Sequence, residues 1–181
     1  MANLKENLEN IYNALQSSEK LLRLLHYMPK NASDDPLSIS KQDVSALPKR
    51  YEIIANTLVP SDKTYDLDLE SKICRLCVYT GTRRSQQNFN QGMGQLNDNV
   101  YASDQIYNLD VYAHIDVDVV DFRMMWIVDT VNEILFQENV TDIGRFRLAF
   151  SSPIGNTPKG YVGYKLAYVM SSSQEPRNRR N

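Results

Sequence analysis

The sequence predicts an α+β domain with a roughly four-stranded, mostly antiparallel sheet, packed by an N-terminal helix and a crossover helix. Three observations predict this class. Residues 4–26 carry an amphipathic helical pattern, residues 106–116 alternate between apolar and polar side chains, and residues 117–136 return to the helical period before two further strands. An amphipathic helix between two strands is typical of a segment that crosses one face of a sheet.

Length and composition indicate one globular domain. The chain has 181 residues, enough for a sizeable core. We expect residues 1–170 to form the domain, with 1–72 as a helical part and arm, 73–170 as the sheet and helix core, and 171–181 as a flexible tail. The net charge of −2, from 20 basic and 22 acidic side chains, gives no general attraction for nucleic acid or anionic lipid. The N-terminus does not resemble a signal peptide, and no apolar run approaches the ~20 residues of a membrane span.

The N-terminal helix carries apolar residues at alternating steps of four and three. They are Leu4, Leu8, Ile11, Leu15, Leu22 and Leu25, with Ser18 at the one polar position. Such a seam fits a helix laid across the sheet, and it also fits a helix that packs against a copy of itself. Pro29 ends the helix, and a short second helix is predicted over 49–58. Residues 29–47 read as a surface connection, and residues 61–71 as an acidic, extended surface arm.

The first strand and the loop after it are the most unusual part of the chain. Residues 73–80 predict a strand with Cys74, Leu76 and Val78 on one face. Residues 81–105 are rich in Gln, Asn and Gly, and they link two strands that would pair as a hairpin. Because loops this long inside a compact domain are usually functional or disordered, we expect a binding arm that orders on contact, with a mobile loop as the alternative. Its expected anchors are residue types that hold interfaces: Arg83, Arg84, Phe89, Met93 and Leu96.

The next strand, 106–116, has apolar or aromatic side chains at odd positions and polar ones at even positions. This alternation predicts one buried and one polar face, with His114 as a surface side chain. The helix 117–136 follows, and Asp116 or Asp118 can cap it because a short carboxylate accepts from the free N–H groups of a first turn.

The two C-terminal strands are predicted at 145–150 and 161–170, on either side of a turn rich in Ser, Pro and Gly. The helix before them then crosses between two strands, in a right-handed sense if those strands are parallel neighbours. We expect the first two strands and the last two strands to form antiparallel pairs.

The candidate chemical motifs are weak. Cys74 and Cys77 form C-x-x-C, but a zinc site needs four ligands and positions three apart on a strand point to opposite faces, so we expect structural thiols. Asp116, Asp118 and Asp121 lack the further oxygen ligands and the glycine of a calcium loop, so helix capping explains them better. With two histidines and no paired nucleophile, the sequence predicts no enzyme, no cofactor and no metal.

The layout of residues 73–170 is more informative than any single motif. A strand Tyr-Asn-Leu-Asp-Val-Tyr-Ala-His leads into the helix Val-Asp-Phe-Arg-Met-Met-Trp-Ile-Val-Asp-Thr-Val-Asn-Glu-Ile-Leu-Phe. A strand Gly-Arg-Phe-Arg-Leu-Ala-Phe-Ser-Ser-Pro follows, and the turn Gly160-Tyr161 opens the last strand. This layout resembles the tail terminator proteins of long-tailed bacteriophages, which are also called tail completion or head–tail joining proteins.

The resemblance implies a structural virion protein of the tail or neck, assembled in the host cytoplasm. Such proteins form a ring, commonly a hexamer, on the last ring of tail tube subunits, stop tube polymerisation and offer a docking surface to the filled head. The implied partners are other copies of the chain, the tail tube protein and a head-completion or connector protein. DNA would only pass through the ring, and no membrane is involved. Tyr161, Tyr164 and Arg177 join the expected interface residues, and the exposed strand 161–170 would pair across subunits.

Three alternatives stay open. Within the same setting, the chain could be a head-completion or connector protein of the neck. In another class, it could be a small nucleic-acid-binding domain that uses Arg83, Arg84 and the arginine-rich tail, against which the near-neutral net charge speaks. A pocket with perturbed titratable groups would instead indicate an enzyme.

Overall fold

The structure is a computed structural model that describes residues 4–70, 72–85, 103–136 and 146–172. The helices in these ranges are α1 (Leu4–Gln16), α2 (Glu19–His26), α3 (Arg50–Thr57), α4 (Ile115–Asp121) and α5 (Arg123–Leu135), with a single 3-10 turn at Val44–Ala46. The strands are β1 (Leu58–Val59), β2 (Cys74–Ser85), β3 (Ser103–His114), β4 (Arg147–Pro153) and β5 (Tyr161–Ser172). The predicted α+β class is confirmed.

The described strands form one sheet in the order β1-β2-β3-β5-β4. Strand β1 is parallel to β2, and every other pair is antiparallel, so both predicted antiparallel pairs are confirmed. The fifth strand, β1, was not predicted because two residues are too few to show alternation. Strand β5 lies between β3 and β4, so the strands joined by the helical connection are not neighbours. The prediction that strand 161–170 is exposed for pairing across subunits is therefore wrong, and the edge strand is β4.

The main core lies between the helices and one face of the sheet. The odd-numbered residues of β3 from Tyr107 to Ala113 are fully buried in it, as the alternation predicts. The seam of the N-terminal helices packs there too, since Ile11, Leu15 and Leu25 have no exposed surface. Full burial contributes about 1.5–3 kcal/mol for each large aliphatic side chain. The seam from Ile11 to Leu25 is thus covered within its own chain, as the helix-on-sheet interpretation predicts, while Leu4 and Leu8 are only partly buried.

Both long helices predicted from the sequence are broken in two. The first break follows Gln16, and Ser18 begins α2 as its N-cap, with its hydroxyl accepting from Leu21 N at 3.3 Å. At the second break, Phe122 adopts the left-handed conformation (φ 54°, ψ 40°). Asp118 Oδ1 accepts from Met124 N at 2.7 Å, so the predicted cap exists but serves α5. The apolar period continues across both breaks, which is why each pair reads as one helix.

The second face of the sheet carries a smaller core. Its buried residues are Val59, Leu67, Cys77, Tyr112 and Tyr161. The even-numbered face of β3 is therefore not a solvent face: His114, predicted at the surface, is only 1% exposed. It is covered because Leu69, from the arm after β1, and the turn at Gly160 fold over this half of the sheet. His114 also caps α4, since its Nδ1 accepts from Asp116 N at 3.2 Å.

Candidate functional site

Arg123, at the start of α5, is fully buried. Its Nη1 donates to the carbonyl oxygens of Leu24 and Tyr27, each at 2.6 Å, at the C-terminal end of α2. Its Nε and Nη2 donate to Asp121 Oδ2 at 3.0 and 2.6 Å. The guanidinium thus satisfies helix-end carbonyls that have no partner within their own helix. The sequence analysis did not predict the buried role of Arg123. The sequence does carry a sign of it, because Arg123 is a charged residue four positions before Ile127, on the apolar side of the helix.

Arg75 holds the acidic arm against the second face of the sheet. Its side chain is almost fully buried, its Nε donates to Asn56 O at 2.9 Å, and its Nη1 lies 2.5 Å from Asp66 Oδ1. The hydrogen bond from Arg75 lowers the pKa of Asp66 to about 2. The predicted extended surface arm is therefore tied to the sheet. Arg23 holds the connection 29–47 in a similar way, since its Nη2 donates to the carbonyl oxygens of Ser38 and Lys41.

A polar cluster of Asp110, Tyr79 and Lys165 crosses three strands on the same face. Lys165 Nζ lies 2.7 Å from Asp110 Oδ1, and Tyr79 OH donates to Asp110 Oδ2 at 2.8 Å. Burial lowers the pKa of Lys165, but the hydrogen bonds to Asp110 and Tyr79 outweigh it and the net pKa is raised. The lysine therefore keeps its proton at neutral pH. The cluster acts as an ionic tie across β2, β3 and β5 rather than as a base.

The two cysteines lie on opposite faces of β2, as predicted. Both are free thiols, with Cys74 in the main core and Cys77 in the second one. Burial raises the pKa of each thiol to about 12, so neither is a thiolate nucleophile at neutral pH. Their burial on opposite faces of the strand is what a structural role of the thiols predicts. Asp116, from the candidate metal motif, pairs with Lys72 at 2.6 Å.

Two further properties hold within the described ranges. No group of three or more His, Cys, Asp or Glu side chains in them is arranged to hold a metal ion. None of the helices in this part of the chain combines the length and the apolarity that crossing a membrane requires.

The predicted interface residues are distributed over several places. Arg83 is exposed near the end of β2, and the backbone of Arg84 pairs with Asp104 in the hairpin. Tyr161 is buried, with its ring edge-on to that of His114 at 5.2 Å, so little of its surface remains for a partner. Tyr164 is half-buried against the main core, with its hydroxyl 3.4 Å from Ser151 Oγ. The other four lie outside the described residues: Phe89, Met93, Leu96 and Arg177.

One end of the sheet is where the described ranges stop. Strands β2 and β3 extend to Ser85 and Ser103, so residues 81–85 and 103–105 of the predicted loop are strand, and residues 86–102 lie outside the described residues. Ser103 pairs with both Ser85 and Ser172. The expected anchors in 86–102 and in the tail after Ser172 are therefore joined to the fold at the same end.

The β4 edge, defined by Arg147, Leu148 and Phe150, presents apolar side chains to solvent. Strand β4 pairs with β5 on one side and with no other strand of the described sheet. Leu148 is 39% and Phe150 49% exposed. An exposed apolar edge leaves unpaired N–H and C=O groups that can pair with another chain.

A second exposed apolar surface, the α4 stripe, is formed by Ile115, Val119 and Phe122. These residues follow the i, i+4, i+7 spacing of one helical face, and Phe122 is 76% exposed. Among the described residues, Phe122 is also the one residue other than glycine with a positive φ. The left-handed conformation costs about 1–2 kcal/mol for a residue with a Cβ atom. The chain thus displays a large aromatic ring on a strained backbone.

Together these features describe an α+β domain whose buried charges tie its own segments together, while its sheet edge and one helix present apolar surface. The chain belongs to the YomW family, whose model matches residues 18–170. It is 30% identical over 177 residues to the SPbeta prophage-derived uncharacterized protein YomW of Bacillus subtilis (strain 168), an alignment that covers 93% of this chain and 97% of the relative. These similarities indicate a phage-derived protein family.

Proposed function

We propose that this chain is a structural virion protein, a ring-forming tail terminator that caps the tail tube and joins the tail to the head. Two findings support the phage setting. The relative in Bacillus subtilis is prophage-derived, and the layout of strand, helical connection and two strands resembles the tail terminators of long-tailed phages. The helical connection is α4 and α5, and the two strands are β4 and β5.

The single observation that carries the proposal is the β4 edge. A ring subunit needs surfaces that stay open until a neighbour arrives, and an unpaired strand with exposed Leu148 and Phe150 is such a surface. If each subunit offers one surface and accepts a different one, the contact is head-to-tail, and it closes into a ring when the rotation per subunit allows. The enzymatic alternative receives no comparable support from Lys165, Cys74 or Cys77, because each of these groups keeps its proton at neutral pH.

The hairpin between β2 and β3 is proposed to reach the tail tube. Residues 86–102 start from the end of the sheet at Ser85 and Ser103, and Arg83 is exposed beside them. Their sequence carries Phe89, Met93 and Leu96, residue types that hold interfaces. In this proposal the hairpin determines which ring the terminator recognises.

The test is the joining reaction itself. The gene is deleted in the phage genome that encodes it, and the lysate is examined by electron microscopy. We expect unjoined heads and tails with tubes of irregular length, and joining should return when the purified full-length chain is added. Normal virions without the protein would contradict the proposal.

A matched variant tests the hairpin. Residues 86–102 are replaced by a short Gly-Ser linker, and folding is checked by circular dichroism. We expect a folded protein that no longer binds purified tail tubes. If this variant still joins heads to tails, the hairpin is not the tube contact.

Binding assays with the purified chain distinguish the tail terminator from the two alternative functions. A connector or head-completion protein would bind heads lacking tails and leave tubes uncapped. A nucleic-acid-binding domain would bind DNA with an affinity that falls steeply as salt rises.

A further inference from the structure

The imidazole of His114, at the end of β3, is buried, and its two nitrogens have different surroundings. Nδ1 accepts from Asp116 N at 3.2 Å, so Nδ1 carries no proton and the neutral ring holds its proton on Nε2. In the described part of the chain, Nε2 is buried and has no hydrogen-bond partner. Buried polar atoms of native proteins are nearly always paired. The fold therefore holds this side chain at a cost.

A second proton on this ring has no acceptor in the structure. An imidazolium donates from both nitrogens, so Nδ1 would direct an N–H group at the N–H of Asp116, and the cap of α4 would be lost. The carboxylate oxygen beside the ring is Asp116 Oδ2, 3.9 Å from Nδ1, and the same oxygen binds Lys72 Nζ at 2.6 Å. A protonated His114 and Lys72 would therefore compete for one oxygen atom.

The acidic arm separates His114 from solvent. A Cβ atom added at Gly160 would lie 2.4 Å from Leu69 Cδ2 and 3.3 Å from His114 Nε2, so Leu69 lies beside this nitrogen. Leu69 is itself 46% exposed, so solvent begins on its far side. Lys72, which follows the arm, is fixed by its ion pair with Asp116. Water reaches Nε2 once this end of the arm moves away.

The arm itself is held by few contacts. Leu67 is the one buried residue among the described residues 61–70, and these residues form neither helix nor strand. The start of the arm is fixed by Arg75, whose Nη1 lies 2.5 Å from Asp66 Oδ1. Its end is fixed by the packing of Leu69 and by the ion pair that follows. Because segments with few buried apolar contacts open at a low free-energy cost, the end of the arm can open without unfolding the sheet.

The other titratable groups around this imidazole leave the competition unchanged between pH 5 and 8. Tyr161 of β5 presents its ring edge-on at 5.2 Å. Tyr112 and Cys77, on the same face of the sheet, have pKa values raised by burial and stay neutral. The hydrogen bond from Lys72 lowers the pKa of Asp116, so this carboxylate stays charged. Histidine is the side chain that ordinarily changes its charge in this range.

We propose that the acidic arm is an acid-released strap, in which protonation of His114 frees the end of the arm from Leu67 onward and uncovers the second core beneath it. In the open form both ring nitrogens can bond to water, so the open form takes up the proton that the closed form excludes. Opening is thus favoured as pH falls, by up to about tenfold per pH unit for one proton. The uncovered core comprises Val59, Leu67, Cys77, Tyr112 and Tyr161.

The start of the strap stays attached over the same range. The hydrogen bond from Arg75 lowers the pKa of Asp66 to about 2, so this tie is intact between pH 5 and 8 and acts as the hinge. The device is a property of the isolated chain and does not depend on the proposed role in a phage tail.

The thiol of Cys77 reports whether the strap is open. Cys77 packs with Leu67 in the second core, whereas Cys74 lies in the main core on the other face of β2 and is a control within the same molecule. The full-length chain is labelled with a dipyridyl disulfide, which reacts with thiols in acid as well as at neutral pH, and mass spectrometry quantifies each cysteine. Each rate is divided by that of the denatured chain at the same pH. From pH 7.5 to pH 5, the ratio for Cys77 should rise at least about tenfold and that for Cys74 should stay constant.

The two histidines of the chain provide matched variants. His114→Asn keeps a side-chain oxygen that can accept from Asp116 N but cannot be protonated, so the response of Cys77 to pH should disappear. His26→Asn, at the end of α2, should leave the response intact. Lys72→Met, at an exposed position, should reduce the response, because Asp116 can then accept from the protonated ring.

Three results would overturn the inference. Constant labelling of Cys77 between pH 7.5 and pH 5 would mean that the strap does not open in acid. A parallel rise for Cys74 would indicate unfolding of the whole chain. A response retained in His114→Asn would assign the proton to another group. Circular dichroism checks that each variant folds, and if His114→Asn does not fold, an unchanged response in Lys72→Met overturns the inference instead.

Discussion

Arg123 Nη1 donates to the carbonyl oxygen of Leu24 at 2.6 Å, joining residues 99 positions apart. The bond connects the end of α2 to the start of α5, next to the point where the second long helix breaks. The N-terminal helices are thus fastened to the helical connection by a buried charge as well as by apolar packing. Asp121, mostly buried, supplies the counter-charge at 2.6 Å.

Replacing this arginine should destabilise the chain strongly. In Arg123→Met, the carbonyl groups of Leu24 and Tyr27 lose their donor and Asp121 loses its counter-charge. Breaking a buried pair by removing one partner costs about 3–5 kcal/mol. Urea denaturation measures the loss, and Arg50→Met, at an exposed position, is the matched control. A loss below about 1 kcal/mol would show that the buried guanidinium is not important for stability.

The tie between Asp66 and Arg75 should make stability depend on pH in acid. Because the hydrogen bond from Arg75 lowers the pKa of Asp66 to about 2, folding favours the ionised carboxylate. Its contribution is present above the unfolded pKa near 4 and is lost as pH falls from 4 to 2. Since the Asp66 side chain is 35% exposed, we expect about 1 kcal/mol after allowing for solvent screening.

The measurement compares the unaltered chain with Asp66→Asn by denaturation between pH 2.5 and 6. The difference in unfolding free energy should be largest above pH 4 and should shrink towards pH 2.5. An equal difference at both ends of this range would mean that the carboxylate charge does not stabilise the fold.

The native thiols should be unreactive. Burial raises the pKa of Cys74 and Cys77 to about 12, and alkylation requires an accessible thiolate. A thiol reagent at pH 8 should label neither cysteine in the native chain and both after denaturation. The native rate should be at least about 100-fold below that of the denatured chain. Rapid labelling of one thiol in the native state would contradict the burial of its strand face.

Two glycines of the turn before β5 make a matched pair. Gly160 has φ +84°, and an added Cβ would lie 2.4 Å from Leu69 Cδ2, whereas at Gly155 an added Cβ meets nothing within 4 Å. Gly160→Ala should therefore cost about 1–2 kcal/mol, and Gly155→Ala should stay within about 0.5 kcal/mol of neutral. Thermal denaturation compares them. The double variant with Leu69→Ala separates the two causes, because it relieves the contact but not the backbone strain.

The sequence was sufficient for the features that depend on local periodicity. The faces of β2 and β3 in the main core follow from alternation, and the capping role of Asp118 follows from its chemistry. Where periodicity continued across a break, as at Ser18 and Phe122, two helices were predicted as one. The left-handed backbone conformation of a residue does not change the spacing of apolar residues in the sequence. The conformation of Phe122 is therefore visible only in the structure.

The features that depend on distant segments could not be predicted. His114 is buried because Leu69 and Gly160 come from other parts of the chain to cover it. Which strand lies at the edge depends on the strand order of the sheet. Because β5 lies between β3 and β4, β4 is the edge strand and β5 is internal. The α4 stripe was missed for a similar reason, since exposure of Phe122 is decided by what packs beside it.

The position of β5 has a consequence for synthesis on the ribosome. Strand β5 is translated after both of the strands that it separates, β3 and β4. One edge of β3 therefore stays unpaired in a nascent chain while about 58 residues, from His114 to Ser172, are added, and β4 has no neighbouring strand until β5 follows it. At 5–20 residues per second this interval lasts about 3–12 s. A chaperone that shields unpaired strands is most useful to this protein in that interval, before the central strand arrives.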